Sequence, residues 1–158
     1  ITVFEDVSKA VAEELNADRF PFVLAGDHGS AGGTIAGIKQ AFPNKRLGVI
    51  WIDAHGDLHT PYTTPSGNLH GMPLSTALND DNLKCQINNV PQETVSQWEK
   101  LKAVGFQGTK VLPEDLVFIA VRDLEKEEQS IIDRLKIEEL SVESVRVNGT
   151  DLTVQHVL

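Results

Sequence analysis

A short segment that alternates acidic residues with a histidine is the part of this chain best suited to chemistry. Asp53, His55 and Asp57 lie in the sequence DAHGD, which directly follows an apolar run. If extended backbone continues through the segment, all three side chains face one side and reach a common ion. Their oxygen and nitrogen atoms suit Mn²⁺, Fe²⁺ or Zn²⁺, and the lack of cysteine ligands disfavours a structural zinc. Taken alone, the segment also fits a solvated loop.

A second histidine strengthens the metal interpretation. His28 lies in the sequence GDH, directly after the apolar run Phe22–Ala25. Two adjacent parallel strands would bring His28 and residues 53–57 to the same edge of a sheet. A lone histidine is more often a structural residue, so this position at the end of a strand is what favours a ligand role.

A third segment, residues 66–73, combines a hydroxyl, a carboxamide and an imidazole in the sequence SGNLHGMP. Ser66 and Asn68 can bind the polar ends of a zwitterionic substrate without adding charge. His70 can move protons near neutral pH. The alternative is a turn that leads into a helix, with Ser66 or Asn68 as a local cap.

The elements that would position these segments alternate between strands and helices. Apolar runs predict strands at Phe22–Ala25, Leu47–Ile52 and Leu116–Val121, and a weaker one at Ile137–Val142. Spacings of three and four predict helices at Val3–Leu15, Ile35–Phe42, Gly71–Leu78, Val95–Leu101 and Glu125–Leu135, and another that begins at Asp151. This alternation predicts an α/β fold with a mostly parallel, covered sheet, whose sites lie in loops at the carboxyl ends of the strands.

Composition excludes several classes of protein. The 158 residues are 41% hydrophobic, enough for a core, and carry 14 basic against 23 acidic residues, for a net charge of −9. That charge disfavours nucleic acid and anionic membranes as partners. A single cysteine, Cys85, and the lack of a signal peptide or a long apolar run predict a cytoplasmic protein.

The three segments, in this order, resemble the motifs of the ureohydrolases, the arginase and agmatinase family, and those of the arginases most closely. The resemblance extends from about Val3 to the end of the chain. It implies a three-layer αβα fold with a mostly parallel central sheet. It also implies a small-molecule substrate, and oligomers, commonly trimers or hexamers.

The resemblance further implies a site for two manganese ions. His28 and Asp57 would hold one ion and His55 the other, with Asp53 bridging the two. A hydroxide that bridges the metals would attack the guanidinium carbon of L-arginine and give ornithine and urea. Asp57 would accept the hydrogen bond of that hydroxide.

The family pattern assigns the remaining residues to the substrate. His70 would relay a proton to the departing amine, or back to the site. The α-carboxylate would be bound by Thr64, Ser66 and Asn68. The α-amino group would be bound by Asp123 and Glu128. Because agmatine has no carboxylate, it would leave the donors of the first set unpaired, which favours arginase over agmatinase.

Three departures from the family pattern stand out. His59 occupies a position where arginases usually have Asn, and Glu125 one where Asp is common. The later D-x-D motif, which supplies more metal ligands, has no match after Asp123. We therefore expect residues 1–158 to be a partial arginase-like domain with little or no activity alone. Agmatinase, another guanidino-compound ureohydrolase, and a non-catalytic metal-binding or assembly module stay open as alternatives.

Overall fold

The computed structural model describes all 158 residues, which fold into six α-helices and three β-strands. The helices and strands, in chain order, are α1 (Thr2–Asn16), α2 (Ser30–Ala41), β1 (Val49–Ile52), α3 (Pro73–Leu78), α4 (Gln92–Ala103), β2 (Leu116–Ile119), α5 (Lys126–Leu135), β3 (Glu138–Leu140) and α6 (Val142–Val157). Short 3₁₀ helices occupy Leu69–Gly71, Leu83–Cys85 and Pro113–Asp115. None of the helices combines the length and apolar character that a membrane span requires.

Contacts divide the chain into two compact units. The first comprises residues 1–45 and 57–110, and the second comprises residues 46–56 and 111–158. The first unit therefore holds the four helices α1 to α4. The second holds the three strands with α5 and α6.

The first unit is built on close packing of α1 against α2. The buried stripe of α1 consists of Phe4, Ser8, Val11 and Ala12, whereas Val3 is 70% exposed. The glycines of α2 let this stripe approach closely. A methyl group at Gly37 would overlap the carbonyl oxygen of Ser8, so only glycine permits this approach of the two backbones.

The core of the first unit also includes part of α4. Trp98 and Leu101 of this helix pack with Phe4, Ala36 and Met72 in one hydrophobic cluster. The spacing of Trp98 and Leu101 predicted a helix with an inward face here, and that prediction is confirmed.

Two lysines near the end of α4 are buried: Lys102 in its last turn and Lys110 in the segment that follows. The Lys102 ammonium donates to Asp81 Oδ1 at 2.7 Å and lies 2.8 Å from Glu99 Oε1, and these carboxylates raise its pKa even though burial opposes the charged form. Lys110 donates to the backbone carbonyls of Lys102 and Thr76. Burial, helped by the nearby Lys102 charge, lowers the pKa of Lys110 to about 8.

The second unit contains a parallel three-stranded sheet in the order β1-β2-β3. Val49 pairs with Leu116, and Val117 pairs with Glu138. The predicted α/β class with a parallel sheet is confirmed. Helix α6 begins at Val142, where the Ser141 hydroxyl accepts a hydrogen bond from Ser144 N. It is kinked at Gly149, whose backbone is non-helical at φ +75°, and the helix predicted to begin at Asp151 corresponds to the part that follows this kink.

The strand predicted at Phe22–Ala25 is absent. These residues have no strand pairing, and Phe20, Phe22 and Leu24 are 90%, 79% and 86% exposed. A run of this composition becomes a strand only when a neighbouring strand pairs with its backbone and another layer covers its side chains. No segment of this chain provides such a neighbour.

Candidate functional site

His28 and Asp57 form one pair of potential metal ligands in the first unit. His28 Nδ1 lies 3.2 Å from Asp57 Oδ2, and the Asp57 side chain is only 7% exposed. His28 stands in the loop that enters α2, where Asp27 Oδ1 accepts a hydrogen bond from Gly29 N at 2.9 Å. The backbone carbonyl of Asp57 accepts from Leu74 N, so both ligands are held by the ends of helices.

Asp57 has an unusual backbone conformation. Its φ is +52°, in the left-handed region that non-glycine residues seldom adopt. β1 ends at Ile52, and the chain bends at residues 53 and 54. The extended backbone from which a common direction of residues 53, 55 and 57 was predicted therefore does not continue to Asp57.

Asp53, His55 and Asp123 lie together at the end of the sheet in the second unit. His55 Nδ1 lies 3.3 Å from Asp53 Oδ1, and its Nε2 lies 3.8 Å from Asp123 Oδ2. The amide nitrogens of Arg122 and Asp123 donate to Ala54 O at 2.9 Å, which fixes the two strand ends side by side. The His55 imidazole thus stands between two carboxylates.

The chemistry of these donors fits manganese. The pair His28–Asp57 and the pair His55–Asp53 each combine an imidazole nitrogen with a carboxylate oxygen, and neither pair includes a thiolate. The four residues predicted as ligands are His28, Asp53, His55 and Asp57. Such hard and borderline ligands are typical of Mn²⁺ sites, and they leave a structural thiolate zinc site without support.

The loop after this segment is organised around Thr64. Its side chain is buried, and Oγ1 accepts hydrogen bonds from Ser66 N at 3.3 Å and Gly67 N at 3.0 Å. Ser66 Oγ in turn accepts from Asn68 N at 3.2 Å, and both Ser66 and Asn68 are exposed. Thr64 therefore shapes the loop, while Ser66 and Asn68 have side chains that a ligand can reach.

Two histidines of this region differ in their surroundings. His59 is buried, and its Nδ1 lies 3.2 Å from Thr63 Oγ1. His70 is exposed in the 3₁₀ helix that precedes α3. The His70 imidazole is therefore accessible to a ligand, whereas that of His59 is not.

The two acids predicted to bind an α-amino group also differ. The Asp123 side chain is 80% exposed, whereas Glu128 is buried. Glu128 Oε2 accepts a hydrogen bond from Glu125 N at 3.1 Å. The Glu125 side chain in turn accepts a hydrogen bond from the backbone nitrogen of Glu128, at the start of α5. This is a capping box, and the E-x-x-E spacing before an apolar run could have predicted it.

Comparison with known proteins identifies the family. The model of the arginase family matches residues 1–158. This chain belongs to the arginase family. It is similar to the arginase of Brevibacillus brevis, with 41% identity over 131 residues, which cover 83% of this chain and 38% of the relative. It is also similar to the arginase of Staphylococcus aureus strain COL, with 32% identity over 158 residues, which are 46% of that protein.

Solved structures of the arginase family agree with this fold. The arginase from Bacillus cereus superposes with a TM-score of 0.81 at 33% identity, over 99% of this chain and 48% of that one. A Trypanosoma cruzi formiminoglutamase variant, at 18% identity and a TM-score of 0.70 over 98% of this chain and 42% of that one, shares the fold. This chain spans less than half the length of these relatives.

Proposed function

We propose that the full-length protein hydrolyses L-arginine to ornithine and urea at a centre that contains two manganese ions. Membership of the arginase family supports hydrolysis of a guanidino compound. The observation that carries the choice of arginine is the loop at residues 64–68, where a hydroxyl and a carboxamide are exposed and can bind an α-carboxylate.

The ligand chemistry supports the proposed cofactor. His28, Asp53, His55 and Asp57 would hold the metal, and the T. cruzi formiminoglutamase variant of the same fold was solved with Mn²⁺. When bound, divalent ions lower the pKa of water and so supply a nucleophile near neutral pH. Asp57 would orient the attacking water through a hydrogen bond to its carboxylate.

The other residues would bind and orient arginine. Ser66 and Asn68 would donate to the α-carboxylate from a loop that Thr64 holds in shape. Asp123 would pair with the α-amino group, and Glu128, which caps α5, would act on that group from the buried side. Cleavage adds water across the bond between the guanidinium carbon and the ornithine nitrogen, and the exposed His70 would give the departing amine its proton.

The main alternative is hydrolysis of agmatine. Agmatine has the same guanidinium group without the α-carboxylate, so it would leave the polar groups of the 64–68 loop without a ligand partner. A site built to hydrogen-bond a missing group rejects the shorter analogue strongly. We therefore propose arginine as the better substrate. A cytoplasmic location and a trimeric or hexameric assembly stay predictions.

The deciding experiment measures urea release by the full-length protein. L-Arginine and agmatine are compared at equal concentration, with Mn²⁺ added and with Mn²⁺ removed by a chelator. We expect metal-dependent urea from arginine and much less from agmatine. Faster turnover of agmatine would establish an agmatinase, and metal binding without urea from either compound would favour a non-catalytic protein.

A further inference from the structure

The shape of the 64–68 loop depends on a turn that immediately precedes it. The carbonyl oxygen of Thr60 accepts hydrogen bonds from Thr63 N at 3.0 Å and Thr64 N at 2.9 Å, which closes one helical turn. Thr60 and Thr63 are fully buried. The carbonyls of Pro61, Tyr62 and Thr64 at the open end of this turn need partners from elsewhere in the chain.

Those partners come from one short segment, residues 87 and 88. The backbone nitrogens of Ile87 and Asn88 donate to Tyr62 O at 2.9 Å and 3.0 Å. The carboxamide nitrogen of Asn88 donates to Thr64 O at 2.7 Å and to Pro61 O at 3.1 Å. A carboxamide has two N–H hydrogens, so both of them are used on this one turn.

Hydrogen bonds continue from this turn to the proposed carboxylate-binding groups. Asn88 fixes the carbonyl of Thr64, the Thr64 hydroxyl accepts from Ser66 N and Gly67 N, and Ser66 Oγ accepts from Asn68 N. The same segments line one open groove, which includes Thr64, Ser66, Gly67, Asn88 and Asn89. The orientation of Ser66 and Asn68 therefore depends on a side chain more than twenty residues further along the chain.

We propose that Asn88 is a positioning residue for recognition of the substrate α-carboxylate. It does not touch the substrate; it holds the 60–64 turn, and through Thr64 the donors of the 66–68 segment. This inference rests on the proposed arginase activity. It adds a determinant of specificity that lies between the 3₁₀ helix Leu83–Cys85 and α4, outside the three sequence motifs.

The test is a pair of isosteric substitutions in the full-length protein. Asn88→Asp keeps the size of the side chain but replaces the donating nitrogen with a carboxylate oxygen that faces two carbonyl oxygens. Asn44→Asp introduces the same charge on an exposed asparagine that does not line this groove, and is the matched control. Asn88→Ala removes the hydrogen bonds without adding charge, in case the aspartate variant does not fold.

We expect Asn88→Asp to raise KM for L-arginine about tenfold and to leave kcat within about twofold. Competitive inhibition by L-ornithine, which has the α-carboxylate, should weaken in parallel. Inhibition by agmatine, which lacks it, should stay unchanged. Asn88→Ala should show the same pattern with a smaller change, and Asn44→Asp should match the wild type.

Two results would overturn the inference while leaving the proposed activity intact. One is an Asn88→Asp enzyme that behaves like Asn44→Asp. The other is an equal loss of affinity for ornithine and agmatine, which would mean that Asn88 supports the general fold of the site. A wild-type protein that binds Mn²⁺ and releases no urea from arginine would instead refute the proposed function, and the inference with it.

Discussion

The substitution Asp57→Asn tests whether Asp57 binds a metal ion or has only a structural role. The Asp57 carboxylate is buried and lies 3.2 Å from His28 Nδ1, and its backbone is left-handed at φ +52°. Asparagine has the same shape and is, with aspartate, the side chain that best tolerates this backbone region. The substitution therefore removes the charge and one ligand oxygen and leaves the local conformation unchanged.

The expected magnitude has two parts. Without metal, Asp57→Asn should change the free energy of unfolding by less than about 1 kcal/mol, because the size and backbone preference are conserved and a buried negative charge is lost. With free Mn²⁺ at 100 times its dissociation constant, the wild type should gain about 2.7 kcal/mol. For a protein as long as the relatives, of which this chain spans less than half, that gain corresponds to a rise in Tm of about 4 °C. The variant should gain little of it.

The assay is thermal unfolding of the full-length protein with Mn²⁺ and with a chelator. Asp18→Asn is the matched control, because Asp18 is also an aspartate with a left-handed backbone, at φ +58°, and is exposed after α1. It should keep the full manganese-dependent rise in Tm. If Asp57→Asn is stabilised by Mn²⁺ as much as the wild type, Asp57 does not bind the metal and the proposed ligand set is incorrect.

Three further predictions concern a buried charge, a close contact and the proton relay. The pKa of Lys110 is about 8 in the folded state and 10.5 in the unfolded state, so the folded state binds fewer protons between pH 8 and pH 10.5. The free energy of unfolding should therefore rise with pH across that range, by up to about 3 kcal/mol. Urea denaturation at several pH values should show this rise in the wild type and in the exposed control Lys100→Met, and Lys110→Met should lack it. Gly37→Ala should destabilise the protein by about 1 to 2 kcal/mol, because overlap with the α1 backbone outweighs the better helix propensity of alanine. The control Gly48→Ala should be nearly neutral in the same measurement, because its new methyl group would lie 3.9 Å from the nearest atom. His70→Asn should slow urea release about 100-fold at unchanged manganese content, and loss of the metal would show that His70 is a ligand.

The sequence predicted elements well where their stabilising partners are within the chain. The apolar runs at Leu47–Ile52 and Leu116–Val121 contain β1 and β2, which pair with each other in parallel. The run at Phe22–Ala25 has the same composition but pairs with no strand, and it is exposed. Local composition records the preference of a segment for burial, and it carries no information on whether a neighbour is present to satisfy that preference.

Contacts between distant residues were out of reach of sequence patterns. Asn88 has no spacing that relates it to Pro61 or Thr64, and its carboxamide acquires a role only when the chain folds back on the turn. The role of Glu128 is the opposite case. Its contact with Glu125 is local, and the capping-box spacing was available in the sequence. Short-range hydrogen bonds can thus be predicted from spacing, and long-range ones require the fold.

The residues Asp53, His55 and Asp57 show where strand alternation fails as a guide to local geometry. Strand alternation predicted one direction for all three, but β1 ends at Ile52 and Asp57 has a left-handed backbone. The His–Asp pairs form instead through separate contacts, a local one between His55 and Asp53 and a long-range one between His28 and Asp57. Asp57 shares its left-handed backbone with the exposed Asp18, so this conformation alone does not mark a ligand. What distinguishes Asp57 is that its carboxylate is buried and lies 3.2 Å from His28 Nδ1, and a buried carboxylate needs a partner that compensates for its lost hydration.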